Sequence, residues 1–421
     1  MGVMTGKRII SNLIAGTTTG AQLETLLTTA ANKAGFIEAL NQATPARSLC
    51  QVENALTQVL LSTQATNAIT KSPVAEPLFY AKWSISNVLL DAIRTARATF
   101  NQVVDGGRGA VLVPLSSWTS RTFPSLAWKG VAYGNGVFVA VGHAAAGAAT
   151  ATAASSTDGI TWTSRTIPSL AWRAAAYGNG VYVAVGNAAS DALTTTSASS
   201  TDGSAWTSRT IGSLAWKGVT YGAGLFVAVG TAASDAITTV GATSPDGTTW
   251  TPRTLPNVAW KSVAYGGGQF VAVGTIASDG VGTISATSPD GITWTSRTIV
   301  SSAWKSVAYG NGVFVAVGTG AANAATTVAA TSPDGITWTS RTLPASLSWS
   351  SVTFGGGVFV AVANNAGAAQ TVAATSVDGI TWTQVNVTSL AAKGIAYGAG
   401  LFAAVGESAS AAVGTVGFTS S

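Results

Sequence analysis

Tryptophan recurs at a fixed step of 44 residues: Trp118, Trp162, Trp206, Trp250, Trp294, Trp338 and Trp382. A single globular core has no reason to space one bulky residue evenly. A chain of equal supersecondary units does, and a period of roughly 40 to 50 residues belongs to propeller blades or helical arrays.

Within one period the residues read as strands rather than helices. Trp128–Tyr133 predicts a first strand, and Gly134, Asn135 and Gly136 a tight turn in which glycine supplies positive φ. Val137–Val141 is a second strand, β-branched and apolar on both faces, as burial between two neighbours requires. A small-residue loop from Gly142, a third strand over 150–155, an Asp-Gly turn and a fourth strand over 160–166 complete the unit. Four short antiparallel strands are the content of one blade.

The two ends of the repeat region complement each other. The last unit, with Tyr397 and Leu401–Val405, reaches Ser421 with only three strands. An orphan fourth strand, Ser117–Thr122, precedes the first full unit. Pairing the two predicts a seven-bladed β-propeller over 111–421, closed by its N- and C-terminal strands, with no free edge.

Residues 1–110 carry no trace of this repeat. Apolar residues there recur at three- and four-residue steps, as in Leu23, Leu26 and Leu27, which predicts helices over 20–31, 34–43, 45–70 and 78–104. Pro45 suits a helix start, and Asp105-Gly106-Gly107 a helix end. The expectation is a small α-helical domain for anchoring or oligomerisation, followed by a mainly β domain.

Several function classes are disfavoured by composition. The net charge of +5 is spread thinly, with no basic block to track a phosphate backbone, so nucleic acid is not expected as a partner. Cys50 is the only cysteine and His143 the only histidine, which removes the usual zinc ligand sets and disfavours a Ser-His-Asp triad. No cofactor or metal is expected. The apolar run at the N-terminus is too short for a signal peptide and no 18-residue apolar span follows, so synthesis in the cytoplasm without membrane insertion is expected.

The turn between third and fourth strands reads Ser-x-Asp-Gly-x-x-Trp in six copies, with Asp158, Asp202, Asp246, Asp290, Asp334 and Asp378 at the same 44-residue step. Asp bonds the local backbone, and Gly takes the left-handed position. This motif resembles the Asp-box (BNR) repeat of sialidases and related propellers, in a variant lacking the residue between Asp and Gly. The resemblance implies a structural turn away from any active site. A sialidase would also need an arginine cluster, yet Arg121, Arg165, Arg209, Arg253, Arg297 and Arg341 occupy one repeated scaffold position. Glu407 is the only glutamate of the repeat region, so a pair of catalytic glutamates is absent.

A second repeated position follows the inner-strand Trp: Lys129, Arg173, Lys217, Lys261, Lys305 and Lys393, with Ser350 in the same register. If the first strands line a central channel, these cations ring its mouth and bind an anionic group. The alternative is that each covers its Trp or solubilises a strand end. The loops between second and third strands, which carry Asp191, Asp235 and Asp279, open on the same face. Coming from separate blades, these carboxylates are expected to lie too far apart to share a metal ion. His143 is expected to be an exposed loop residue, and the tryptophans interblade packing.

A low-charge Gly/Ala/Ser/Thr-rich repeat behind a helical domain is similar to bacteriophage virion proteins of the tail-fibre, collar or capsid-decorating type. That resemblance implies a non-enzymatic virion protein, joined to other virion proteins through residues 1–110, with a propeller that meets host-surface glycan or decorates the particle. A homo-oligomer is compatible with this. The alternatives are a cellular lectin-like propeller for anionic glycans and, with less support, a degenerate glycosidase.

Overall fold

A computed structural model describes residues 118–144, 147–364, 370–388, 391–407 and 414–420. All of them fall in one compact unit, Leu115–Ser421. The helices expected within residues 1–110, and the anchoring role expected of them, lie outside the described residues.

The described chain is mainly β and repeats one antiparallel pattern. Strand β1 (Trp118–Gly134) pairs with β2 (Val137–His143), β2 with β3 (Thr150–Ser156), and β3 with β4 (Thr163–Gly178). The next turn of the pattern is β5 (Val181–Asn187), β6 (Thr194–Ser200) and β7 (Thr207–Gly222). Then come β8 (Leu225–Thr231), β9 (Thr238–Ser244) and β10 (Thr251–Gly266). These are followed by β11 (Gln269–Thr275), β12 (Gly282–Ser288) and β13 (Thr295–Gly310). After them are β14 (Val313–Thr319), β15 (Thr326–Ser332) and β16 (Thr339–Gly355). The last are β17 (Val358–Asn364), β18 (Gln370–Ser376), β19 (Thr383–Thr388), β20 (Ala391–Gly398), β21 (Leu401–Glu407) and β22 (Gly414–Ser420).

The fourth strand differs from its expected span of 160–166. It begins only at Thr163, because the Asp158 carboxylate accepts the backbone N–H groups of Ile160 and Thr161 and keeps them in the turn. Nor does it stop at 166. The first half of β4 pairs with β3 and its second half with β5, so one extended segment serves two neighbouring groups. β1 does the same at the seam: Trp118–Leu126 pairs with β22, and Ala127–Gly134 with β2. The inner halves then follow one another in a cycle, β1 against β4, β4 against β7, and so on through β10, β13 and β16 to β20, which returns to β1.

Packing explains why the second strand is apolar on both faces. Along β2, Phe138 and Ala140 join a cluster with Ala403 and Val405 of β21, whereas Val139 and Val141 join Trp172, Tyr182 and Ala184. Alternate side chains of a strand point to opposite faces, so each second strand fills two interfaces at once. The largest fully buried side chains are Trp128, Trp172, Trp216, Trp260, Trp304 and Trp349, one on each inner strand except β20, where Ala392 takes the position. Their indole N–H groups are satisfied locally, as where Trp128 Nε1 donates to Pro124 O at 3.1 Å.

The Gly-Asn-Gly turns divide their labour differently from the expectation. Positive φ falls on Asn135 (43°) and Gly136 (79°), whereas Gly134 still belongs to β1. Gly134 is small for another reason: a Cβ there would sit 2.0 Å from Cγ of Tyr177 on the neighbouring inner strand. The same fit recurs around the cycle and closes it, since Gly398 meets Tyr133.

Candidate functional site

The repeated cations owe their position to an irregularity in the inner strand. In β1 the register with β2 shifts between Trp128 and Gly130, leaving Lys129 as the bulged residue. The same shift brackets Arg173, Lys217, Lys261, Lys305, Ser350 and Lys393. A bulge re-aims one side chain and lets the strand bend. It also brings backbone close to its partner strand. A Cβ on Gly142 would lie 2.2 Å from Ala127 O, so the glycine ending each Val-Ala-Val-Gly run makes room for it.

The bulged residues converge. Lys129, Arg173, Lys217, Lys261, Lys305, Ser350 and Lys393 all line one central cavity of about 180 Å³, with Val131, Val219 and Val263 also in its wall.

Carboxylates meet these cations from the loops at the same end. Tight turns at Ala189–Asp191, Ala233–Asp235 and Ala277–Asp279 place two successive residues in the left-handed region, such as Ser190 (φ 57°) and Asp191 (φ 56°). Non-glycine residues seldom adopt this conformation, although aspartate tolerates it better than most. The result is an alternating chain. Asp191 Oδ1 is 2.8 Å from Arg173 Nη2 and 2.6 Å from Lys217 Nζ. Asp235 Oδ1 is 2.9 Å from Lys217 Nζ and 3.0 Å from Lys261 Nζ. Asp279 Oδ1 is 3.0 Å from Lys261 Nζ and 2.6 Å from Lys305 Nζ.

The chain of ion pairs ends where the loop residue changes. Asn323 takes the Asp position in the next loop and donates Nδ2 to Asp279 Oδ2 at 3.1 Å, and Gly147 takes it on the other side. Ser350 replaces the cation there and donates its hydroxyl to Ala392 O at 2.6 Å.

Glu407 forms a second, separate cluster. It pairs with Lys129 and lies 3.6 Å from Lys393. His143, expected in an exposed loop, is instead only 4% exposed at the end of β2, with Nε2 3.8 Å from Glu407 Oε1. It is buried because strand β2 runs one residue beyond Gly142, into a buried position that Asn187 and Thr231 fill elsewhere.

The charges respond to this setting. Burial alone would raise the Asp235 carboxyl, but Lys217 and Lys261 outweigh it and hold it well below the usual range. Asp191 and Asp279 are shifted the same way, burial again opposed by their two cations. Burial pushes the Lys129 ammonium down to about 8 against the pull of Glu407. It pushes the His143 imidazole down to about 4, which leaves the ring neutral at pH 7. The three loop aspartates do not converge on one point, since a lysine spans each neighbouring pair.

The other repeated polar residues serve the strands. Asp158 Oδ1 accepts Ser156 Oγ, Ile160 N and Thr161 N, each at 2.8 Å, while Gly159 (φ 71°) takes the left-handed corner. Asp202, Asp246, Asp290, Asp334 and Asp378 repeat the bonds. Arg165 Nε donates to Ser155 Oγ at 2.7 Å, and Arg209, Arg253, Arg297, Arg341 and Arg121 make the equivalent cross-strand bond.

Sequence reasoning located the cations and the face they share with the loops. It did not find their pairing, which depends on the bulge and on left-handed loop residues. The signal that was present is the shared 44-residue step of Lys217 and Lys261 with Asp191 and Asp235.

No family model and no curated protein matches the chain. Solved structures do. A streptogramin B lyase structure aligns with TM-score 0.55 at 10% identity, over 72% of this chain and 97% of that one. YCF48 from Cyanidioschyzon merolae aligns with TM-score 0.51 at 12% identity, over 72% and 98%. The WD40 β-propeller domain of Doa1 aligns with TM-score 0.50 at 10% identity, over 72% and 97%. At such identities the likeness carries the fold alone: the described chain is a β-propeller.

Proposed function

We propose that this propeller has seven blades, that a variant of the Asp-box hairpin links the third and fourth strands in six of them, and that the protein is a non-catalytic component of a bacteriophage particle. Residues 1–110 would hold it to other virion proteins, and the propeller would face outward to meet host-surface glycan or cover the particle. The blade count is supported by the cycle of inner strands and by the Gly398–Tyr133 fit at the seam. The Asp-box reading is supported by the bonds of Asp158 and its repeats.

One observation carries the non-catalytic reading. The turn aspartates and outer arginines that recur along the chain are spent on the scaffold, the aspartates on backbone N–H groups and the arginines on cross-strand hydroxyls. Such commitments favour a rigid display surface over reactive groups held in reserve. Mass spectrometry of purified phage particles from a host carrying this gene tests the assignment. The protein is expected at a fixed copy number per particle, and its consistent absence would sink the proposal.

A cellular lectin for anionic glycans is the second reading, favoured by the cation-lined channel. Binding on a glycan array by a protein with no particle association would select it. Turnover of a sialoside or aryl glycoside would instead revive a glycosidase.

A further inference from the structure

We propose that the central channel binds a single small oxyanion of the sulfate or phosphate class, held by the bulged cations at its mouth. This inference does not rest on the particle assignment.

Three observations carry it. Six of the residues lining the cavity are cationic, and among the described residues none of their four carboxylate partners, Asp191, Asp235, Asp279 and Glu407, lines it. No carboxylate of the cavity wall therefore competes for the donors that these cations keep. Counting charge among the described residues, six cations meet four carboxylates, so the cluster keeps two positive charges. Counting donors, an ammonium group offers three N–H bonds. Lys217 and Lys261 each face two of these carboxylates and Lys305 one, so N–H groups remain beyond those pairs.

The excess charge is divided between two clusters. Gly147 and Asn323 stand where the other loops place aspartate, so one surplus charge falls on the chain from Arg173 to Lys305 and the other on Lys129 and Lys393 around Glu407, with Ser350 between Lys305 and Lys393. An anion in the channel would answer both clusters at once. Charge-assisted bonds of this kind are the stronger ones, and low-dielectric walls concentrate the field.

Size sets the class of ligand. At about 180 Å³ the cavity lies below the roughly 300–1,000 Å³ of pockets for drug-sized molecules, which favours a small ligand. The oxyanion is either a free ion or a charged substituent of a glycan.

The test is isothermal titration calorimetry of the full-length protein at low ionic strength. Sodium sulfate and sodium phosphate are titrated against sodium chloride of matched ionic strength, with galactose 6-sulfate as a separate arm. Saturable binding near one per chain is expected for the oxyanions and not for chloride. Binding of the sulfated sugar at least as tight as sulfate identifies a glycan-borne source, and weaker binding a free ion.

Ser350 provides the internal control, because changing it leaves the ion pairs intact. Ser350→Glu and Ser350→Lys lose the same two hydroxyl bonds and bring opposite charges to the wall. Ser350→Glu is expected to weaken binding about tenfold or more and Ser350→Lys to tighten it, with thermal melts confirming that both fold. No saturable sulfate or phosphate binding to the folded wild-type protein would overturn the proposal. So would a shift of both variants in the same direction.

Discussion

Asp235→Asn is the most informative single change to the ion-pair chain. Asn323 already occupies the equivalent loop position with φ 62°, close to the 56° of Asp235, so asparagine fits this backbone and the substitution isolates the charge. It removes the charge of a carboxylate whose Oδ1 lies 2.9 Å from Lys217 Nζ and 3.0 Å from Lys261 Nζ. The lysine side chains are 10% and 9% exposed and the aspartate 21%, which places the cluster between two regimes. Exposed pairs contribute about 0–1 kcal/mol, whereas breaking a buried pair costs about 3–5 kcal/mol. Each lysine keeps a second partner, Asp191 for Lys217 and Asp279 for Lys261, so neither is left as a lone buried charge. That puts the expected loss near the middle, about 2 kcal/mol.

Urea unfolding of the full-length protein at pH 7 measures this, and a double-mutant cycle with Lys261→Met isolates the pair, with an expected coupling of about 1 kcal/mol. The pH dependence has a definite sign. The folded Asp235 carboxyl lies below its ordinary value of 3.8, so its contribution is complete above that pH and is lost as pH falls through the lower folded value. A loss below about 0.5 kcal/mol, within the usual range of surface substitutions, would refute the view that these charges join the blades.

Three further outcomes are expected. Gly178→Ala places a Cβ 2.0 Å from Tyr221 Cγ and should cost about 3 kcal/mol or more, whereas Gly180→Ala meets no atom within 4 Å and should cost only the left-handed backbone penalty of about 1–2 kcal/mol; thermal melts of the two variants give the order. His143 titrates at about 4 when folded and 6.5 when not, so the unfolded chain binds the extra proton between those values and stability should fall by about 2–3 kcal/mol as pH drops from 6.5 to 4; denaturant titrations of His143→Asn across that range should lack this component. Asp334→Ala strips the acceptor from Ser332 Oγ, Ile336 N and Thr337 N and should destabilise by about 1–2 kcal/mol in chemical denaturation, with no change in far-UV circular dichroism.

The repeat made most of the β architecture legible. The Trp step gives the unit, Val137–Val141 gives a strand buried on both faces, and the Asp-Gly turns follow from local chemistry. These features depend on residues near one another in the chain, where turn propensity and alternation act directly. Even the pairing of Trp118–Leu126 with β22 was foreshadowed, because an orphan strand at one end matched a missing strand at the other.

Tertiary structure decided the rest. Gly134 reads as a turn residue, yet it is glycine because the Tyr177 ring occupies the space a Cβ would need. His143 reads as a loop residue, yet it is buried beside Glu407, which lies 264 positions away in sequence. The six cations read as an open ring, yet four of them meet loop carboxylates held in left-handed conformations, and Lys129 and Lys393 meet Glu407 at a strand end. Periodicity reports which residues share an environment. It is silent on which of their atoms meet, because that depends on a one-residue slip in strand register and on the closing of the chain into a cycle.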